Sequence, residues 1–185
     1  VLLVTSVTAV LAATISIAPF QPESARAYQT TGCRFASPTI PYSTQTPPAG
    51  YYLSNAQTDW SSNTDISSWA LSSANVRVTF SFGYYGATGW SGVAVYYSCS
   101  ATGGKHNNTV EVRINRSYTD SYSINGRISV MGHEIGHAIG LGHVGSGGGA
   151  CSLVTLMNGY DSFRFNTCGV YRTTVDDRNG ANALY

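Results

Sequence analysis

Residues 133–143 read His-Glu-Ile-Gly-His-Ala-Ile-Gly-Leu-Gly-His and hold three of the chain's four histidines and one of its three glutamates. His133 and His137 are four residues apart, which on a helix sets their imidazoles about 40° apart on one face, one turn above the other. Two such side chains reach the same metal ion. Gly140 lets the chain turn sharply, so that His143 comes back with a third nitrogen. Glu134 stands beside the first ligand, near enough to hold a water at the metal. Three protein ligands and one open position describe a catalytic zinc site and not a closed structural one. The chemistry this implies is zinc-assisted hydrolysis, with peptide bonds as the expected target. The rival reading is a packed helix without metal. It fits poorly, because three histidines and a carboxylate would all need partners inside a core.

The rest of the chain must supply a helix and something for it to rest on. A helix is expected over residues 127–141, with Val130, Met131, Ile135, Ala138 and Ile139 packing on a sheet. Strands are expected over 76–82, where Val76, Val78, Phe80 and Phe82 alternate with polar residues, over 93–97, and over 110–114. An earlier helix is read over 51–62 from Tyr52, Leu53, Ala56 and Trp60, and the Pro- and Thr-rich residues 28–50 read as extended. His106 lies in a Gly- and Asn-rich loop and is expected to be solvated, not a ligand. The Gly-rich residues 145–149 mark a tight or mobile turn. Near the end Thr174 can cap a last helix with Asp177 three residues on, and Asp176 and Asp177 are assigned structural roles. The fold class is therefore α+β: sheet and active helix above, an irregular part below, and a C-terminal helix.

The chain has 185 residues, 43% hydrophobic, enough for one domain with a real core. Charged residues make up only 10% and the net charge is +1, so neither a nucleic-acid partner nor an acidic tail is expected. Residues 1–18 are uncharged, prolines follow at 19 and 22, and Ala25-Arg26-Ala27 offers small residues where a signal peptidase reads. The expectation is a signal peptide over 1–27, truncated at its start, then one catalytic domain over 28–185. The protein would be secreted, monomeric and free of the membrane after cleavage. A membrane anchor over the same residues is the less favoured reading. Four cysteines remain, Cys33, Cys99, Cys151 and Cys168, and in an exported protein they suggest two disulfides. Three connectivities exist. Cys151–Cys168 is preferred because it closes a short loop, which leaves Cys33–Cys99; a second metal site lacks the CxxC spacing it would need.

The His-Glu-x-x-His-x-x-Gly-x-x-His string, with Leu156-Met157-Asn158 centred fourteen residues past His143, resembles the metzincin zinc endopeptidases. Ile114-Asn115, the Arg127-to-Glu134 stretch and the final residues 176–185 look most like bacterial matrixin-like secreted peptidases. The resemblance implies a zincin-like fold: a twisted mixed sheet, an active-site helix, a Met-turn and a C-terminal helix. It makes His133, His137 and His143 zinc ligands and Glu134 the general base, with Met157 a non-ligating floor beneath the histidines. It also implies a substrate extended along a sheet edge, the 93–97 strand. Residues 158–165 would form one wall of the specificity pocket, and Phe163 and Phe165 suggest an apolar one. Val144 stands where matrixins carry Ser or Thr, so the subfamily is left unassigned. Tyr160 comes three residues after Met157, one later than the zinc-touching Tyr of astacin and serralysin relatives, and is not assigned to catalysis. Cys33 as a zinc-blocking thiol is set below its disulfide partnership. Structural Ca²⁺ is left open, since no EF-hand-like string is present.

The expected mechanism is attack by a zinc-activated water, with Glu134 taking its proton and passing it to the leaving amine. Two other readings stand beside it: a catalytically silent zincin-type binding module, and a zinc hydrolase of a non-peptide amide. The intact Glu134 speaks against the first, because a pure binder needs no base.

Overall fold

The computed structural model describes residues 28–145 and 147–185; the expected signal segment, 1–27, lies outside them. The element order is β1 (Thr39–Thr44), α1 (Leu53–Asn63), β2 (Ser68–Leu71), β3 (Val78–Gly83), β4 (Gly92–Val95), β5 (Val110–Asn115), α2 (Arg116–Thr119), α3 (Ile124–Ile139) and α4 (Val175–Leu184). A 3-10 turn at Cys151–Leu153 and a π-helical turn at Ser162–Thr167 interrupt the irregular chain between α3 and α4. The class is α+β, as expected.

Five strands form one mixed sheet in the order β2-β1-β3-β5-β4. The β1–β2, β1–β3 and β3–β5 pairs are parallel, and β4 runs antiparallel to β5 at the edge. In β3, Val78, Phe80 and Phe82 are buried while Thr79, Ser81 and Gly83 are half-buried, so the period-2 pattern of the sequence sets the buried face. β4 is shorter than the expected 93–97 strand, and Tyr96 and Tyr97 leave the ladder as exposed side chains.

Two strands were not legible. β1 lies inside the stretch read only as extended and contains Pro41. The Pro41 carbonyl accepts from Arg77 N (2.8 Å), and the missing proline N–H falls just ahead of the β1–β3 ladder, which starts at Tyr42–Val78. β2, Ser-Trp-Ala-Leu, is an edge strand of four residues with no alternation to detect.

α1 and α3 share the main core with the sheet. Trp60, Ile135, Ile139, Val112 and Ile114 are fully enclosed in one apolar cluster. Trp60 Nε1 also donates to the Gly132 carbonyl (2.9 Å), so the packing of α1 on α3 has a fixed register. α3 starts at Ser123, whose hydroxyl accepts from Gly126 N (3.2 Å), and stops at Gly140, φ +116°. A side chain at Gly140 would run into the Cys33 carbonyl, so conformation and space both call for glycine there. α4 carries the expected capping box of Thr174 and Asp177. Both disulfides pair as expected, Cys33–Cys99 and Cys151–Cys168. Among the described residues no helix is long and apolar enough to cross a membrane.

Candidate metal centre

α3 places His133 and His137 on one face, and the reversal at Gly140 returns His143 to them. The Nε2 atoms of the three rings lie 3.1 Å (His133–His137), 3.1 Å (His133–His143) and 2.9 Å (His137–His143) apart. Carbonyl oxygens decide the tautomers. His133 Nδ1 faces the Leu156 carbonyl at 2.7 Å and His137 Nδ1 faces the Leu141 carbonyl at 2.8 Å. A carbonyl only accepts, so both Nδ1 atoms carry the proton and both Nε2 atoms present lone pairs. Converging lone pairs repel unless a cation stands between them. The separations suit one ion held at about 2.0–2.1 Å from each nitrogen. The donor set therefore fits a metal, and the backbone carbonyls supply the outer hydrogen bonds that orient such ligands.

Electrostatics agree. Burial holds His133 well below its ordinary pKa, with the Arg164 charge adding to the effect. Burial likewise lowers His137 to about 4, and lowers His143, the exposed member of the set. Neutral imidazoles are the form a metal needs.

Glu134 opens onto the same cavity of about 300 Å³ as the three histidines. Its side chain is pressed against β4, where a Cβ on Gly92 would lie 2.7 Å from Glu134 Cγ and 2.9 Å from Oε1. Burial pushes the Glu134 carboxyl up to about 8, while the Arg164 charge and the Ala94 backbone N–H pull the other way. Gly92, Val93, Ala94 and Tyr96 line the cavity too, so the free edge of the sheet is its upper rim.

Met157 lies fully buried under α3, and its Sδ occupies the space a Cβ on Gly136 would take. The turn that carries it is tied on both sides. Leu156 N and Met157 N donate to the Asp177 carboxylate (2.9 and 3.1 Å), and Val144 N donates to the Met157 carbonyl (2.8 Å). Asp177 also accepts from Thr174 N and Oγ1 (2.8 and 2.7 Å). Its structural role is thus double: it caps α4 and pins the Met157 turn, rather than reaching α3.

Two expectations need correction. His106 is not solvated: it is buried, its Nε2 lies 3.0 Å from the Ala138 carbonyl, and its ring packs on Phe35. It buttresses the end of α3 and stands outside the histidine set. Residues 158–165 do wall the cavity, but through Gly159, Asp161 and Arg164, not through Phe163 and Phe165. Phe165 instead faces α3, 3.1 Å from where a Cβ on Gly126 would stand. Cys33, as expected, is a disulfide partner and has no thiol to offer a metal. Tyr160 is exposed and does not line the cavity.

Sequence reading missed Arg164 and its neighbours. Arg164 is 2% exposed; its Nε donates to Ser129 Oγ (3.0 Å) and its Nη1 to the Asn158 carbonyl (2.6 Å). Nη1 also lies 3.0 Å from His133 Nδ1, two donors side by side, each with its own carbonyl. Asp161 Oδ2 accepts from Ser91 Oγ (2.5 Å) and Tyr122 Oη (3.0 Å), tying the wall to the entry of β4. The only cue was an isolated charge between two phenylalanines in a charge-poor chain, and a π turn aims side chains off the 3.6-residue period.

No protein-family model matches the chain, and no curated protein matches it.

Proposed function

We propose that the protein is an exported zinc-dependent endopeptidase of the metzincin type, with His133, His137 and His143 as the zinc ligands and Glu134 as the general base. The observation that carries this reading is the convergence of three Nε2 atoms, two with lone pairs fixed by backbone carbonyls, in a cavity shared with one buried carboxylate. An imidazole donor set suits zinc among the available divalent ions. Zinc bound there supplies Lewis-acid activation of water and of the scissile carbonyl.

The chain's own residues do the rest. Glu134 takes the proton of the attacking water and delivers it to the leaving amine. Its carboxylate form is favoured by the charge of a cation in the same cavity. The edge of β4 offers unpaired main-chain groups to an extended substrate, which would add as a further strand above the histidines. Met157, fixed through Asp177 and packed on Gly136, keeps the histidine-bearing turn of α3 from shifting. The two disulfides support an exported protein, and the net charge of +1 gives no reason to expect a nucleic-acid partner.

The test is metal analysis beside casein and gelatin cleavage. Glu134→Gln is expected to keep about one zinc per chain and to lose cleavage, because an amide cannot take the proton. Cleavage that survives chelation, or full activity in Glu134→Gln, would sink the mechanism. Zinc binding with no hydrolysis of peptides would favour the binding-module reading, and hydrolysis confined to small amides the third.

A further inference from the structure

The cavity is lined by a charge that tunes His133 and Glu134 but takes no part in the proton transfers proposed above. Arg164 is almost wholly enclosed, yet among the described residues no carboxylate oxygen lies within 4.0 Å of its guanidinium nitrogens. Asp161, the nearest acid along the chain, has its oxygens engaged by Ser91, Tyr122 and its neighbour's Ser162 N. Two of the Arg164 nitrogens are spoken for: Nε by Ser129 Oγ and Nη1 by the Asn158 carbonyl. Nη2 has no hydrogen-bond partner among the described residues, and it is not one of the sealed, unpartnered polar atoms of the interior. Arg164 lines the cavity, and Nη2 carries the guanidinium donors left free for a group that fills it.

A buried guanidinium that feels Glu134, Asp161 and Asp177 only from beyond ion-pair distance is costly, and a carboxylate entering the cavity would relieve that cost with a charge-assisted hydrogen bond. An apolar side chain would bury the charge more deeply and leave it unpaired. Val130 lines the same space and gives the methylenes of an acidic side chain a surface to pack on.

We propose that Arg164 makes this pocket selective for an acidic substrate side chain, glutamate or aspartate, next to the scissile bond. The proposal rests on the peptidase reading for its substrate, but the pocket chemistry can be tested by binding alone. The probes are peptide hydroxamates on the zinc-loaded protein, in two series that place Glu, Gln, Leu or Phe on either side of the chelating group. In one series Glu is expected to bind at least ~10-fold more tightly than Gln or Leu, the scale of a hydrogen bond to a charged group. Arg164→Gln is expected to abolish the difference. Tighter binding of Leu or Phe in both series overturns the proposal, as does a Glu preference that survives Arg164→Gln, or no binding in either series. If that variant does not fold, the order of affinities in the unaltered protein decides. Acid-selective binding without cleavage of any peptide would instead leave the pocket as described and remove the peptidase reading.

Discussion

His133 and His137 ride on α3, a helix of sixteen residues whose buried face belongs to the main core. His143 and Met157 sit on chain that has only a 3-10 turn and a π turn between α3 and α4. The first pair is positioned by apolar packing against α1 and the sheet. The second lends Val144, Leu156 and Met157 to that core and is held in addition by ties along the irregular chain: Asp177 to the Leu156–Met157 backbone, Val144 N to the Met157 carbonyl, Arg164 to Asn158, and the Cys151–Cys168 disulfide. One half of the site is a by-product of a well-packed core. The other half has little core of its own and depends on hydrogen bonds whose buried partners cannot be replaced by water.

The contrast is broken most forcefully at Trp60. Trp60→Ala removes a fully buried indole and its bond to the Gly132 carbonyl, and is expected to cost about 3–5 kcal/mol. Because Trp60 serves the shared core, denaturant unfolding followed by fluorescence and by circular dichroism should show one earlier transition. Two separated transitions would mean that the core does not hold both helices as one unit.

Removing the Cys151–Cys168 bridge probes the other half. Its two cysteines are 17 residues apart, and loop-closure entropy puts the loss on Cys151→Ser/Cys168→Ser at about 3 kcal/mol. Here the damage should be local first. Limited proteolysis under native conditions is expected to nick residues 147–170 before any other part of the chain, while far-ultraviolet circular dichroism changes little. Nicking that begins in the sheet would contradict the division.

Asp177→Asn sharpens the comparison further. One amide oxygen cannot replace two carboxylate oxygens that serve the Leu156, Met157 and Thr174 donors, so a loss of about 1–3 kcal/mol is expected. Zinc affinity, read by competition with a chelator, should fall in the same variant, since the Leu156 carbonyl orients His133. Unchanged affinity would detach the Met157 turn from the metal site.

The same division explains what could be read from the sequence. α3, β3, β5, α1 and the α4 capping box declared themselves because a periodic or capping pattern and the core agreed at each position. The grouping of His133, His137 and His143 was legible because their spacing is local, one helical turn and the reversal that follows it. Arg164 was not, since what sets it apart is burial without a carboxylate in ion-pair contact among the described residues, and only three-dimensional neighbours reveal that. His106 was misread for a related reason: a Gly- and Asn-rich surround suggested solvent, but Phe35 from far along the chain covers it. β1 was hidden by Pro41, which is harmless only because of where the neighbouring ladder begins.

The smallest expected effect lies in the well-packed half, at one of its polar ties. Asp120 accepts from Tyr51 Oη (2.6 Å), Tyr84 Oη (2.8 Å) and the Arg116 guanidinium (3.0 Å to Nη2), joining the start of α1 to α2. The Arg116 bond is the chief reason that its carboxyl falls from 3.8 to about 2, with the two tyrosines adding to it. A carboxyl depressed on folding contributes stability above its unfolded pKa and loses that contribution as pH falls through the folded value. The window is therefore pH 4 to about 2. With a third of the side chain open to solvent the contribution is screened, and about 1 kcal/mol or less is expected. Melting curves of the unaltered protein and Asp120→Asn should differ slightly at neutral pH and converge as pH drops from 4 toward 2. A gap that persists at the acid end would show that the tie is held by shape and hydrogen bonds rather than by charge, and would make this half of the molecule less purely apolar in its support than the comparison states.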